Sequence, residues 1–554
     1  MKPRFDTFPL TILLFAICLS VRSVAAEPGI HRPNIVYILA DDLGIGDVGA
    51  FNAEGQIATP NLDRLAAEGM KFTDAHSGSA VCTPTRYGIL TGRYAWRTRL
   101  KSGVLWGYST PLIAKGRMTV ASMLKRLGYN TNCVGKWHLG LEWARKDPSI
   151  PPVDSSAELW HNYDFAKPIV SGPIQVGFDS WFGISASLDM HPHVYIQDRN
   201  VTSVPTHIVD GSEGKQFWRR GPIGDDFQHI EVLDKLTEKA LEYLNRQTAD
   251  QPFFLYFPLS APHKPILPTD RFRNRSGLNE WGDFVMQVDW TIGQVMQTIE
   301  SKGFSQNTLF IVTSDNGATP GADFEELGSR GHDPSARFRG HKADIFEGGH
   351  RVAFVARWPA SIEAGTVSEA TICHTDLLAT VADITGFELP ANAGEDSVSI
   401  VPLMQQATDG PVREATVHHS INGSFSIRRG PWKLCLCPGS GGWSDPQPPE
   451  ARQQNLPPIQ LFNLATDISE QNNIQADHLD VVKQLQALLQ RYIDEGRSTP
   501  GERQSNDRDV SVISDQRRST VASEDEIRST EQIRFFSHTS ENDGPGKKFV
   551  ETAS

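Results

Sequence analysis

Residues 34–42 read Asn34-Ile-Val-Tyr-Ile-Leu-Ala-Asp41-Asp42, an unbroken apolar run that ends on two acids. A short run without polar alternation fits a strand buried on both faces, as in a helix-covered parallel sheet. Outward from it the same unit recurs. Residues 61–69 have helical periodicity, with Thr59 and Pro60 placed to open the helix. Residues 120–128 form a second helical pattern and precede the strand-like 130–135. Residues 232–247 and 286–302 are two more, followed by the apolar runs 252–260 and 308–314. This alternation, from residue 31 to about 385, predicts an α/β fold with a large, mostly parallel sheet sandwiched by helices.

Near residue 412 the pattern changes. Residues 416–420, 425–429, 433–437 and 460–464 read as short antiparallel strands, and 479–492 as an amphipathic helix. These predict a smaller C-terminal α+β domain over residues 412–496, beside a main domain over 27–411. The Pro- and Gly-rich residues 437–449 form a long loop within it. Residues 497–554 are polar and lack apolar periodicity, which predicts a disordered tail or one draped over the surface.

The chain has 554 residues, with 53 Lys and Arg against 66 Asp and Glu, a formal charge of −13. That balance excludes a nucleic-acid binder, which needs a basic face to displace counterions. Lys2 and Arg4 precede an apolar run at 10–21, and Val24, Ala25 and Ala26 offer small residues for cleavage. Residues 1–26 therefore read as a secretory signal peptide, which predicts export to the periplasm or the exterior. No later stretch is long and apolar enough for a membrane span. Six cysteines, one in the signal, do not make a disulfide scaffold; Cys133, Cys373, Cys435 and Cys437 leave room for a bridge or two. Cys435 and Cys437 point to one strand face, with too few partners at metal spacing, and burial is expected for them.

In open α/β sheets, ligands bind beyond the carboxyl ends of the strands. Four expected strands end in polar clusters: Asp41-Asp42, Lys136-Trp137-His138, Ser260-Ala261-Pro262-His263 and Asp315-Asn316-Gly317. One such ending is an ordinary turn. Four at one edge mark a site. Asp41, Asp42, Asp315 and Asn316 supply hard oxygen ligands, which suit Ca²⁺ or Mg²⁺ better than zinc. Pro84 fits the first turn of a helix and places Cys82 at its N-terminus, where unpaired N–H groups favour an anion. Arg86, one turn in, adds a fixed cation. On these grounds alone Cys82 reads as a thiolate nucleophile.

The run from Cys82 through Pro84 and Arg86 to Thr91-Gly92 resembles the sulfatase signature, Cys-x-Pro-x-Arg followed by Thr-Gly. Residues 128–140 resemble the family's second signature through Gly135, Lys136, His138 and Gly140. The resemblance runs from about Pro33 to Asn473, with one departure at Thr85, where Ser or Ala is more frequent. It implies an alkaline-phosphatase-like fold and hydrolysis of sulfate monoesters. It also implies that a formylglycine-generating enzyme oxidises Cys82 to formylglycine (3-oxoalanine). The metal, generally Ca²⁺ and less often Mg²⁺, would be held by Asp41, Asp42, Asp315, Asn316 and the modified Cys82. Ser187 and Lys342 would contact the sulfate, and Glu347-Gly348-Gly349 would form the turn behind the lysine. His263 would stand beside the ester oxygen. In the implied mechanism Lys136, Lys342 and Arg86 bear on the sulfuryl oxygens and the aldehyde hydrate. Asp315 helps deprotonate the attacking hydroxyl, His263 protonates the leaving alcohol, and His138 takes the proton that releases sulfate.

Two other functions compete. A phosphatase or phosphodiesterase on this fold needs a second metal and favours His where Asn316 stands, and an unmodified sulfate-binding relative would not need every catalytic position filled. The expected substrate is a sulfated small molecule or saccharide. Trp106 and Trp443 are of a kind that stacks on sugar rings or packs internally, and His191 and His193 suit a substrate-side loop or a packing role equally. Asn200, Asn274 and Asn422 match the N-glycosylation pattern, which matters only in a eukaryotic secretory route.

Overall fold

The computed structural model describes residues 32–152 and 160–512; the expected signal peptide lies outside the described residues. A ten-stranded sheet forms the centre. In chain order its strands are β1 (Asn34–Asp41), β2 (Met70–Phe72), β3 (Asn130–Lys136), β4 (Ser180–Ile184), β5 (Ile196–Gln197), β6 (Asn200–Val201), β7 (Phe253–Pro262), β8 (Thr308–Ser314), β9 (Phe354–Arg357) and β10 (Thr366–Ser368). Their spatial order is β10-β2-β9-β8-β1-β7-β3-β4-β5-β6. The five strands from β8 to β4 are mutually parallel, so β8, β1, β7 and β3 bring their four polar endings to one edge. Antiparallel pairs flank this block, at β8–β9 and β9–β2 on one side and β4–β5 and β5–β6 on the other.

The double burial expected of residues 34–41 follows from strand pleating. Ile35, Tyr37 and Leu39 face one core, which includes Tyr87, Met123, Leu124 and Leu378. Val36, Ile38 and Ala40 face the other, with Leu62, Leu236, Trp281 and Val288. The first core is covered by α2 (Cys82–Thr91) and α3 (Val120–Arg126). The second is covered by α1 (Pro60–Glu68), α4 (Val232–Arg246) and α5 (Glu280–Ser301). Helix α5 starts six residues before the expected 286. Asn279 caps it, its side chain accepting from the backbone N–H of Trp281 and Gly282, a polar start that apolar periodicity does not register.

The C-terminal unit is an antiparallel sheet of β11 (Thr416–His419), β12 (Phe425–Arg429), β13 (Trp432–Cys435) and β14 (Gln460–Asn463), in that order. Helix α6 (Leu479–Asp494) packs its Val482, Leu485 and Leu489 on Val417, Ile427, Leu434 and Leu461. The opposite face carries His418, Arg428 and Lys433 and meets the main domain through buried charge. Arg428 reaches Asp74 at 2.7 and 2.8 Å and Lys433 reaches Glu347 at 3.0 Å, while Glu470 of the same C-terminal unit lies 2.8 Å from Lys433. His76 and His350 are 3.0 Å apart within this cluster, and His350 stacks on His418.

One expectation is corrected. Every described cysteine is a buried free thiol, so the bridges allowed for Cys133, Cys373, Cys435 and Cys437 are not made. Residues 497–512 are draped on the body: Asp507 meets Arg93 at 3.1 Å, Asn506 accepts from Arg97, and Val510 and Val512 pack beside α6. Arg93 and Arg97 are fully buried, and their need for partners holds a segment that has no periodicity of its own.

Burial lowers the pKa of His76 and holds His350 and His418 well below the usual histidine range, so His350 and His418 are neutral in the folded protein. The unfolded chain takes up their protons as pH falls below about 6.5, while the folded chain does not. Stability should therefore fall by about 1.4 kcal/mol per pH unit for each of His350 and His418. Urea midpoints measured from pH 7 to pH 4.5 test this, and a flat profile contradicts it. Glu347→Gln leaves Lys433 and Arg351 without a shared buried carboxylate and should cost about 3–5 kcal/mol by the same measurement.

Candidate active site

Asp41 is the last residue of β1, and Asp42 turns the chain away at φ 69°. His138, two residues past β3, is also held at positive φ, 54°. Such backbone is costly for residues with a Cβ and persists where the surroundings over-determine it. Gly135 shows how tight this edge is. At its φ of 128° an added Cβ would lie 1.8 Å from the Pro258 carbonyl oxygen of β7.

The expected metal ligands come together. Asp315 Oδ1 accepts the Asp42 backbone N–H at 3.1 Å, and Asn316 Nδ2 donates to Asp42 Oδ1 at 2.8 Å. Asn316 Oδ1 is buried with no partner. One ligand atom from each of Asp41, Asp42, Cys82 and His263 lies within 4.8 Å of the others. Three carboxylates and an orphaned amide oxygen fit a hard, oxygen-seeking cation.

Three buried cations interleave with these oxygens. Lys136 Nζ donates to both Asp41 oxygens at 2.7 and 2.9 Å. Lys342 Nζ lies 2.7 and 2.8 Å from the oxygens of Asp42. Arg86 forks onto Asp315 Oδ2 at 2.7 and 3.1 Å, approaches Asp41 at 3.3 Å and donates to the Lys136 carbonyl at 3.0 Å. Burial opposes the charge on Lys342, but Asp42, Cys82 and Asp41 together outweigh it and raise Lys342 above the lysine range. Burial and the neighbouring Asp41 push Asp315 up to about 7, against the pull of Arg86.

Cys82 is the first residue of α2, 2% exposed, as the position of Pro84 predicts. Thr85 anchors this start by donating to the carbonyls of Ser79 and Val81, a bond its hydroxyl shares with Ser but not with Ala. The thiolate reading is corrected. Burial pushes the Cys82 thiol up to about 12, although Lys136 and Lys342 pull the other way. As encoded, it is an inert thiol.

The two histidines are oriented by carbonyls, which can only accept. His138 Nε2 lies 2.7 Å from the Leu105 oxygen, so that nitrogen carries the proton; Nδ1 is left unprotonated, buried and without a partner. Burial, with Lys136 and Arg86 nearby, holds His138 well below the usual histidine range. His263 donates from Nδ1 to the Lys264 carbonyl at 2.6 Å, with Nε2 3.8 Å from Asp42, and burial and Lys342 lower it. Ser187 lies just beyond β4, whose neighbour Ser185 accepts the His138 backbone N–H; the Ser187 hydroxyl is buried without a partner.

Several residues here escape sequence reasoning. Asp189 is 4.0 Å from His263 and is paired with Arg219, whose guanidinium lies over the Trp106 ring. In the sequence, the segment around Asp189 is marked only by His191 and His193. The 437–449 loop also reaches the site: Trp443 and Ser444 donate backbone N–H to Asp344, two residues from Lys342, and Trp443 is 42% exposed. His193 packs against His229 and Phe227, which favours the packing role for it.

The family model described as Sulfatase matches residues 33–387. An N-acetylgalactosamine-6-O-sulfatase of Bacteroides thetaiotaomicron is 32% identical over 500 residues, 83% of this chain and 93% of that protein. The N-acetylgalactosamine-6-sulfatase of Mus musculus is 30% identical over 446 residues, 77% of this chain and 76% of that protein. A solved structure concerned with metabolism of multiple glycosaminoglycans by Bacteroides thetaiotaomicron matches with TM-score 0.72 at 32% identity, covering 83% of this chain and 99% of that one.

In protein whose residue 82 is still cysteine, iodoacetamide at pH 8 should leave that thiol unlabelled until the protein is denatured. Peptide mass spectrometry reads the label, and rapid labelling of folded protein contradicts the buried, protonated thiol.

Proposed function

Because the chain belongs to the sulfatase family, we propose that it hydrolyses sulfate monoesters of carbohydrates, with 6-O-sulfated N-acetylgalactosamine as the substrate class. The carrying observation is the convergence of Asp41, Asp42, Asp315 and Asn316 with Cys82, Lys136 and Lys342 at one sheet edge. The names of its relatives supply the sugar. Oxidised to formylglycine by a formylglycine-generating enzyme, residue 82 would supply a geminal diol, whose one hydroxyl attacks sulfur and whose other allows release. Asp41, Asp42, Asp315 and Asn316, with residue 82, would hold one Ca²⁺, whose chemistry is Lewis-acid polarisation of a sulfuryl oxygen.

The chain's own groups account for the rest. Lys136 and Lys342 are already positioned by Asp41 and Asp42, so their donors meet the sulfuryl oxygens without reorganising. The partnerless Ser187 hydroxyl supports a further contact to sulfate. Arg86 orients Asp315, which would help take the proton from the attacking hydroxyl. His263, beside Asp42 and Lys342, is neutral at rest; an arriving sulfate anion favours its charged form, from which it protonates the leaving alcohol. His138, with its proton fixed on Nε2 by Leu105, takes up a proton at Nδ1 and so allows sulfate to depart.

The residues 1–26 signal supports export to the periplasm or the exterior. Among the described residues no helix is long and apolar enough to cross a membrane. The competing phosphatase reading is weakened by Asn316, an amide where a second-metal ligand would be needed.

Cys82→Ala should lower kcat/KM on 4-nitrophenyl sulfate by at least about a thousandfold. Peptide mass spectrometry of active protein should find an aldehyde and no sulfur at residue 82. Full activity in the alanine variant, or faster turnover of 4-nitrophenyl phosphate than of the sulfate, would sink the proposal. Calcium at a hundred times its Kd should stabilise the protein by about 2.7 kcal/mol. Asn316→Leu should abolish most of that thermal shift, and an undiminished shift would remove Asn316 from the metal site.

A further inference from the structure

We propose that Asp189 and Arg219 form a subsite that binds two adjacent free hydroxyls of the sugar ring whose sulfate ester occupies the Cys82 centre. The proposal rests on the sulfatase reading and specifies what that site recognises beyond sulfate.

The Asp189 side chain is 9% exposed. Its Oδ2 accepts from Arg219 Nη1, while its Oδ1 is buried without a partner, 4.0 Å from His263 Nδ1. That nitrogen cannot serve Oδ1, because its proton goes to the Lys264 carbonyl. A carboxylate oxygen only accepts, and a buried one left unpaired is costly. The chain therefore leaves a charged acceptor waiting beside the group that faces the leaving oxygen, and a hydroxyl of the substrate is the donor that fits.

Arg219 completes the pair. Its guanidinium lies 4.9 Å from the ring centres of both Trp106 and Phe217, and its side chain is 29% exposed. Its backbone N–H donates to the Asp189 carbonyl at 2.9 Å, and its own carbonyl accepts from His193 at 2.8 Å. Both residues are thus held in place before any ligand arrives. Trp106 follows Leu105, whose carbonyl orients His138, so the pair is tied to both catalytic histidines.

The chemistry selects the occupant. One ring hydroxyl donates to Asp189 Oδ1, and its neighbour accepts from the Arg219 guanidinium, an arrangement a vicinal diol satisfies. A second sulfate at that edge would face the carboxylate and be repelled. An aryl sulfate has no hydroxyl to offer there.

The test compares kcat/KM for N-acetylgalactosamine 6-sulfate with that for 4-nitrophenyl sulfate in wild type, Asp189→Asn and Arg219→Gln. The ratio within one preparation cancels differences in folded or modified fraction. It should fall at least about tenfold in both variants, with KM for the sugar raised. A smaller fall, or equal losses on both esters, overturns the subsite. A binding arm separates this from failure of the enzymatic reading. In Cys82→Ala protein, adding Asp189→Asn should weaken calorimetric binding of N-acetylgalactosamine 6-sulfate at least about tenfold. If wild type hydrolyses neither ester yet this difference holds, the sulfatase reading falls and the subsite stands; equal binding in the two overturns the subsite.

Discussion

Everything at the catalytic edge depends on the Arg86 guanidinium. It is fully buried, and it ties together the ends of three neighbouring elements: Asp315 after β8, Asp41 at the end of β1 and the Lys136 carbonyl at the end of β3. Helix α2 carries both Arg86 and Cys82, so the same contact that settles the carboxylates also sets Cys82 against them. A planar, permanently charged fork can satisfy this many acceptors at once, which a lysine ammonium does less well. Three carboxylates so close would otherwise repel one another; burial first, and then Asp41, still keep the pKa of Asp315 raised.

The charges are stable because the fold removes water and supplies countercharge together. Lys136 and Lys342 each lie on a carboxylate of the expected metal set, so the site comes preassembled with alternating signs. Preassembly is what electrostatic catalysis requires, since no dipole has to turn as the barrier is crossed. Cys82 gains nothing as a thiolate here; burial opposes its ionisation more strongly than the lysines favour it.

The small C-terminal unit braces the site. The Lys342 segment is held on both sides, Ala343 N–H donating to Ala80 and Ile345 N–H to Ser440 in the 437–449 loop. Ala80 N–H in turn donates to His419 of β11, so the approach to Cys82 is fixed by the same unit. Buried ion pairs around Glu347, Asp74, Lys433 and Arg428 hold the docking face. Such pairs are weak sources of net stability but leave few alternative ways to dock.

The sequence by itself determined the central block of parallel strands, because uninterrupted apolar runs such as 34–40 have only doubly covered sheets to enter. It also determined the polar strand endings and, through the spacing of Cys82, Pro84 and Arg86, the helix start that carries Cys82. It could not set the protonation of Cys82, which depends on burial by residues far along the chain. Nor could it register the parts played by Asp189 and Arg219, or choose between a free and a draped course for residues 497–512: their meaning lies in partners such as His263, Trp106 and Arg93, brought near only by folding. Local pattern fixes what each segment buries. Only the tertiary structure decides which buried polar atoms are left without a partner, because that is a property of the whole packed set.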